Sequence, residues 1–230
     1  MSGKAGPMPF RDRKDAGQRL AQALADYRRQ ECLVLALPRG GVPVAAEIAA
    51  ALHAPLDLVM VRKIGAPAHP EFALGAVVDG AAPLVVEDAA HLAMTGTGKD
   101  QFDAICAREV KEIERCRALY LKGRPPIPLH GRIVILVDDG LATGSTMRVA
   151  LAAVSRQRPA RVVVAVPVAP RAVLEGLAAD RIVCLETPEP FGAVGYFYED
   201  FAQVDDEEVI ALLAAHGPGG RAPETYPSGF

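Results

Sequence analysis

Cysteine is scarce in this chain: Cys32, Cys106, Cys116 and Cys184 are the four in 230 residues, and no two form a C-x-x-C pair. That spacing excludes zinc-ribbon and thioredoxin-type sites, and Cys32 and Cys184, beside apolar runs, read as small core residues. An excess of charge of one sign is lacking as well. Twenty-five Lys and Arg against 28 Asp and Glu leave a net charge of -3. The basic face that marks a nucleic-acid binder is absent from this balance, so no nucleic-acid partner is expected. No apolar run approaches the roughly 18–20 residues of a membrane span. The opening MSGKAGPMPFRDRKDAG has no apolar signal core, so the expectation is a soluble, cytoplasmic protein with no membrane partner. H-E-x-x-H, G-x-S-x-G and a strand-borne G-x-G-x-x-G are all missing. GTGK at Gly96–Lys99 falls short of a P-loop, with Ala93 where its first glycine belongs and Asp100 where Ser or Thr is needed.

What is present is a half-apolar chain long enough for one α/β domain, able to bury roughly 70–75% of its unfolded surface. Leu20, Ala23, Leu24 and Tyr27 predict an amphipathic helix within Asp12–Arg29. A strand at Cys32–Leu37, a helix at Val42–Leu52 and a second strand at Leu56–Val61, ending at Arg62 and Lys63, form a β-loop-α-β unit. Such a unit implies a parallel sheet covered by helices. Ile64–Glu87 is rich in Gly and Pro and reads as a hairpin or lid. Lys99–Lys122 reads as a long helix stopped by GRPPIPL, since proline removes a donor and clashes in a helix interior. Alternation resumes with strands at Ile133–Val137, Val162–Val166 and Ile182–Leu185, separated by helices at Ser145–Gln157 and Arg171–Ala179. Thr187–Phe201 holds five of the twelve Phe and Tyr residues, and Asp205–His216 is a last helix. The expected organisation is one domain over 1–216, with a lid and helical insertion at 64–125, a hood segment at 187–201, and a disordered tail at 217–230.

VILVDDGLATGST, Val134–Thr146, is the stretch with chemistry in it. In an open parallel sheet, ligands bind beyond the carboxyl ends of strands, which is where this pattern puts Asp138 and Asp139. Gly140 permits a sharp turn, and Ala142, Thr143, Gly144, Ser145 and Thr146 lead into a helix. Small residues let backbone N–H groups approach a ligand, and the helix dipole favours an anion there, most naturally a phosphate. Two carboxylates repel a phosphate but suit hydroxyl donors or a hydrated Mg²⁺. A ribose 5-phosphate group satisfies both halves of the stretch; a plain strand-to-helix turn capped by Asp139 is the simpler alternative.

The stretch resembles the phosphoribosyl pyrophosphate (PRPP) signature of type I phosphoribosyltransferases. That resemblance implies a three-layer α/β/α fold with a mostly parallel central sheet, a lid or hairpin insertion and a small C-terminal hood. It implies that Asp138 and Asp139 hold the ribose hydroxyls and that Ala142, Thr143, Gly144, Ser145 and Thr146 hold the 5′-phosphate. LPRGG after the first strand is similar to the family's pyrophosphate loop, so Arg39, Gly40 and Gly41 are expected there, with a non-proline cis peptide near Arg39–Gly40. Arg62 and Lys63 stand where the family often faces pyrophosphate with an Arg-Lys pair. The run from LPRGGVPVAAEIA to TPEPFGAVGYFYEDF looks like a bacterial phosphoribosyltransferase-domain family of unassigned substrate.

The implied reaction is Mg²⁺-dependent transfer of the phosphoribosyl group from PRPP to a small, nitrogenous-base acceptor. Mg²⁺ would bind through PRPP, with Asp138 and Asp139 as protein ligands. Phe191 and Tyr196 are candidates to stack on the acceptor, and His69 and Glu71 in the lid are candidates for proton transfer. Ala142 stands where hypoxanthine/guanine-type enzymes carry Asp, which counts against a 6-oxopurine acceptor. The competing reading is a PRPP- or nucleotide-sensing regulator on the same fold. Family likeness also suggests a homodimer.

Overall fold

The computed structural model describes residues 10–67, 69, 72–79 and 83–217. Glu71 and the segment beyond Gly217 lie outside them. Helix α1 (Arg13–Ala23) starts where Asp12 accepts the Asp15 N–H at 2.7 Å, the ordinary way to satisfy a free donor of the first turn. It is shorter than the apolar spacing predicts, because Ala25–Tyr27 tightens into a 3₁₀ turn. Strand β1 (Cys32–Ala36) and helix α2 (Gly41–Leu52) follow, both almost wholly buried.

The second strand differs from expectation. It divides into β2 (Leu56–Leu58) and β3 (Val61–Gly65), which belong to different sheets. Val59 N–H still donates to Ala36 of β1 at 3.0 Å, but Met60 N–H turns to the Asp79 carboxylate at 2.9 Å. Asp79 N–H returns a bond to the Met60 carbonyl at 3.0 Å. The buried Asp79, paired with Arg117, thus draws the chain off the first sheet. Arg62 and Lys63 consequently open an antiparallel sheet with β4 (Ala73–Val78) and β5 (Leu84–Glu87), in the order β3-β4-β5.

Helices α3 (Ala89–Thr95) and α4 (Lys99–Leu121) lead back to the main sheet at β6 (Ile133–Val137). Helix α5 (Ser145–Arg156), β7 (Arg161–Val168), the short α6 (Arg171–Glu175) and β8 (Arg181–Glu186) complete it, and α7 (Asp206–Ala215) is the last helix. Helix α6 ends well before Ala179, at Gly176.

The main sheet is parallel throughout, in the order β2-β1-β6-β7-β8. Its strands alternate between two cores. Val34, Ile135, Val137 and Val163 pack with α1, α2 and α7, while Leu33, Leu35, Leu136 and Val164 pack with α5 on the other face. Burial on both faces is why these strands read as unbroken apolar runs. The result is the three-layer α/β/α arrangement expected from the alternation of elements, and β1 and β6 lie side by side at its centre.

Asp79 offers a direct test of the sheet switch. Asp79→Ala removes the acceptor of Met60 N–H and leaves the Arg117 guanidinium, largely buried, without its carboxylate. We expect a loss of about 3–5 kcal/mol in urea unfolding, the usual effect of breaking a buried pair from one side.

Candidate active site

Because β1 and β6 are neighbours, the loops that leave their carboxyl ends face each other. Leu37 N–H still donates to Val137 at 2.9 Å, so Pro38–Gly41 and Asp138–Thr146 diverge from one point. The non-proline cis peptide lies at Pro38–Arg39, one bond before the expected place. Gly40 sits against the second loop so closely that a Cβ on it would lie 2.1 Å from Asp139 Oδ2. No side chain fits there while Asp139 holds its position.

The two carboxylates point to different surroundings. Asp138 lines a cavity of about 480 Å³ with Pro38, Arg39, Arg62 and Thr146 on the α4 side. Burial, and then the charge of Asp139, push the Asp138 carboxyl well above the usual carboxylate range. Asp138 Oδ1 accepts the Asp139 N–H at 2.9 Å. Asp139 instead meets the hood. Its Oδ2 accepts Arg13 Nε at 2.8 Å, and Arg13 Nη1 donates to the Ala202 carbonyl at 2.7 Å. The same guanidinium lies 3.8 Å over the Phe201 ring. Tyr198 hydroxyl donates to the Asp139 carbonyl at 2.6 Å, and burial raises that phenol far above its usual value.

The loop from β6 into α5 is open and built of small residues. Ala142, Thr143, Ser145 and Thr146 are exposed; the N-cap of α5 is Gly144, which has no side chain to cap with, and Thr143 Oγ1 accepts the Ser145 N–H only at a long 3.5 Å. Gly144 takes φ +69°, and a Cβ on it would meet Val173 at 2.5 Å, so both conformation and space call for glycine. Thr143 and Ser145 hydroxyls lie 3.1 Å apart, and Arg148 Nη2 donates to the Thr143 carbonyl at 2.6 Å.

The remaining candidates fall in several places. Arg62 lines the Asp138 cavity and is paired with Glu109 at 3.1 Å. Lys63 lines the adjoining groove between β3 and α4, together with Arg62 and Arg108. His69 is exposed in a turn, where its N–H donates to Ala66 and its carbonyl accepts Phe72 N–H. Phe191 packs on Phe197, ring centroids 5.3 Å apart, inside the hood. Tyr196 is 80% exposed. Neither aromatic lines the Asp138 cavity. Sequence reasoning missed Arg13, 126 positions from its partner and in no motif, and it missed Glu112, Arg115, Tyr120 and Asp206, which line the cavity from α4 and α7. Tyr198 and Phe201 carried a signal, since both lie in the aromatic-rich hood stretch.

Residues 11–199 match the family model of the phosphoribosyl transferase domain. The chain is 43% identical over 208 residues to two proteins of Mycobacterium tuberculosis, named "Putative phosphoribosyl transferase Rv0571c" in strain H37Rv and "Putative phosphoribosyl transferase MT0597" in strain CDC 1551. The match covers 89% of this chain but 46% of each relative, so the chain spans about half the length of the curated relatives it matches. Among solved structures, TT1426 from Thermus thermophilus is 44% identical with a TM-score of 0.78, covering 92% of this chain and 100% of that one.

Two outcomes test this geometry. Arg13→Ala leaves the largely buried Asp139 carboxylate without its guanidinium, and also removes an exposed bond to the Ala202 carbonyl; it should cost about 2–4 kcal/mol by chemical denaturation. Asp138→Asn should act the other way on the ligand-free chain. The folded-state pKa of Asp138 is raised, so ionisation weakens the fold as pH climbs above the unfolded-state value near 3.8. The Asn variant lacks that cost. Its melting temperature, measured with EDTA present, should exceed wild type at neutral pH, and the difference should shrink as the pH falls toward that value.

Proposed function

The chain belongs to the phosphoribosyl transferase domain family, and on that premise we propose that it transfers the 5-phosphoribosyl group of PRPP to a nitrogenous base and releases pyrophosphate. The observation that carries this reading is the meeting of the two loops. An acidic pair at the end of β6 stands between the glycine-led N-terminus of α5, where Thr143 Oγ1 meets the Ser145 N–H only at a long 3.5 Å, and a glycine loop, with Gly40 pressed against Asp139. These are the three environments PRPP needs: acceptors for two hydroxyls, amides for a terminal phosphate, and close backbone with cations for a diphosphate.

In this reading Asp138 and Asp139 bind the ribose hydroxyls, and Ala142–Thr146 with the first turn of α5 bind the 5′-phosphate. Arg39, Gly40, Gly41, Arg62 and Lys63 form the pyrophosphate side. The C1–O bond to pyrophosphate breaks and a bond from C1 to the acceptor nitrogen forms. The leaving diphosphate gathers negative charge, which fixed cations and amides stabilise without reorganising. The hood, on the Asp139 side of the cleft, is the place for the base, where Ala142 supplies no acid–base group.

Mg²⁺ suits this donor set as a companion of the substrate. Among the described residues no three His, Cys, Asp or Glu converge into a metal cage. Asp138 and Asp139 offer one or two carboxylate oxygens, and Mg²⁺ commonly completes its shell with substrate phosphates and water. When bound it would neutralise charge on the diphosphate.

The double variant Asp138→Asn, Asp139→Asn should keep the wild-type circular dichroism spectrum and lose about 100-fold or more in PRPP affinity by calorimetry, the value of two charge-assisted contacts. Unchanged affinity would remove the ribose assignment. A panel of purines, pyrimidines and related heterocycles with PRPP and Mg²⁺ should release pyrophosphate with at least one acceptor. PRPP binding without turnover across the panel would instead favour the sensing regulator.

A further inference from the structure

The long helix α4 belongs to none of the sequence motifs, yet it forms one wall of the Asp138 cavity. Glu112, Cys116 and Tyr120 line the cavity at helical spacing, so one stripe of the helix faces the cleft. Arg115 flanks that stripe and lines the cavity alongside Arg39 and Arg62. All three guanidinium groups are held by carboxylates. Arg115 makes a two-pronged pair with Glu112, at 2.9 and 2.8 Å. Arg62 binds Glu109 at 3.1 Å, and Arg39 reaches Asp206 at a long 3.4 Å. Asp206 is shared, because the Tyr120 hydroxyl donates to the same oxygen at 2.7 Å.

These groups form one electrostatic cluster. The Arg115 hydrogen bonds, with smaller help from the charge of Arg62, hold the Glu112 carboxyl down at about 2. Asp206 in turn adds to the field that keeps Arg115 charged. Arg39, Arg62 and Arg115 thus converge from a loop, a strand and a helix on the cavity that Asp138 borders.

We infer that Arg115 is a fourth diphosphate-binding cation, beside Arg39, Arg62 and Lys63, and that Glu112 holds it in place until the ligand displaces that carboxylate. The inference rests on the phosphoribosyl-transfer reading and adds to it a residue from outside the signature loops. Arg115 is 62% exposed and Glu112 32% exposed, so their pair is worth little in water and yields readily. A diphosphate carries more charge than one carboxylate, and a guanidinium binds two phosphate oxygens at once. Exchange therefore favours the ligand. Before it arrives, Glu112 and Asp206 keep three like charges from repelling one another across an empty cleft.

Calorimetry with inorganic pyrophosphate in Mg²⁺ buffer tests this on the full chain. Arg115→Ala should weaken binding about tenfold, the size of one charge-assisted contact. Arg115→Lys should fall between it and wild type. Glu112→Gln should tighten binding, a gain that a merely structural Arg115–Glu112 pair would not produce. Lys111→Ala, an exposed cation on the same helix, controls for loss of net charge and should change affinity by less than about twofold. Pyrophosphate affinity equal to wild type in Arg115→Ala, or lost equally in Lys111→Ala, would overturn the inference while leaving the transfer reading intact. A wild-type chain that binds no pyrophosphate would overturn the transfer reading itself, and this inference with it.

Discussion

Two adjacent carboxylates end a strand buried on both faces, and most of the site is arranged around making that tolerable. Burial, and then the neighbouring charge of Asp139, make an ionised Asp138 costly. The fold separates them. Asp139 turns to the hood, where Arg13 neutralises it, Phe201 backs the guanidinium and Tyr198 fastens the main chain. Asp138 turns to the cleft and keeps its cost. Its carboxyl is pushed well above the usual carboxylate range, whereas Asp139 is matched by a guanidinium.

The separation also connects distant parts of the chain. Arg13 begins α1, Phe201 and Tyr198 lie in the hood, and Gly40 leads into α2. Arg13, Tyr198 and Gly40 meet at Asp139, and Phe201 backs the Arg13 guanidinium. Moving the Asp139 carboxylate would free Arg13 and crowd or release the Gly40 loop together. The hood and the Pro38–Gly41 loop are therefore joined through one side chain, although they lie far apart in sequence.

The α4 side has a looser logic. Arg39, Arg62 and Arg115 are each held by a carboxylate, in pairs more exposed than Arg13–Asp139. Mostly buried contacts fix the Asp139 end of the site, and more exposed pairs line the α4 end.

Local pattern by itself determined the layered fold, since apolar runs of strand length alternate with helical periods and leave few other arrangements. It determined the signature loop too, because backbone approach to a phosphate demands small residues at consecutive positions, and consecutive positions are what a sequence displays. The break after Leu58 was not legible: Leu56–Val61 is apolar but for Asp57, and only Asp79, nineteen residues past Met60, pulls the strand away. Arg13 and Arg115 were illegible for the same reason, each being one of 25 cations in the chain until folding brings it to a carboxylate or a cleft. Which acid borders the cavity and which meets Arg13 and the hood was decided by tertiary structure alone, because the two are chemically identical and differ only in what the rest of the chain packs beside them.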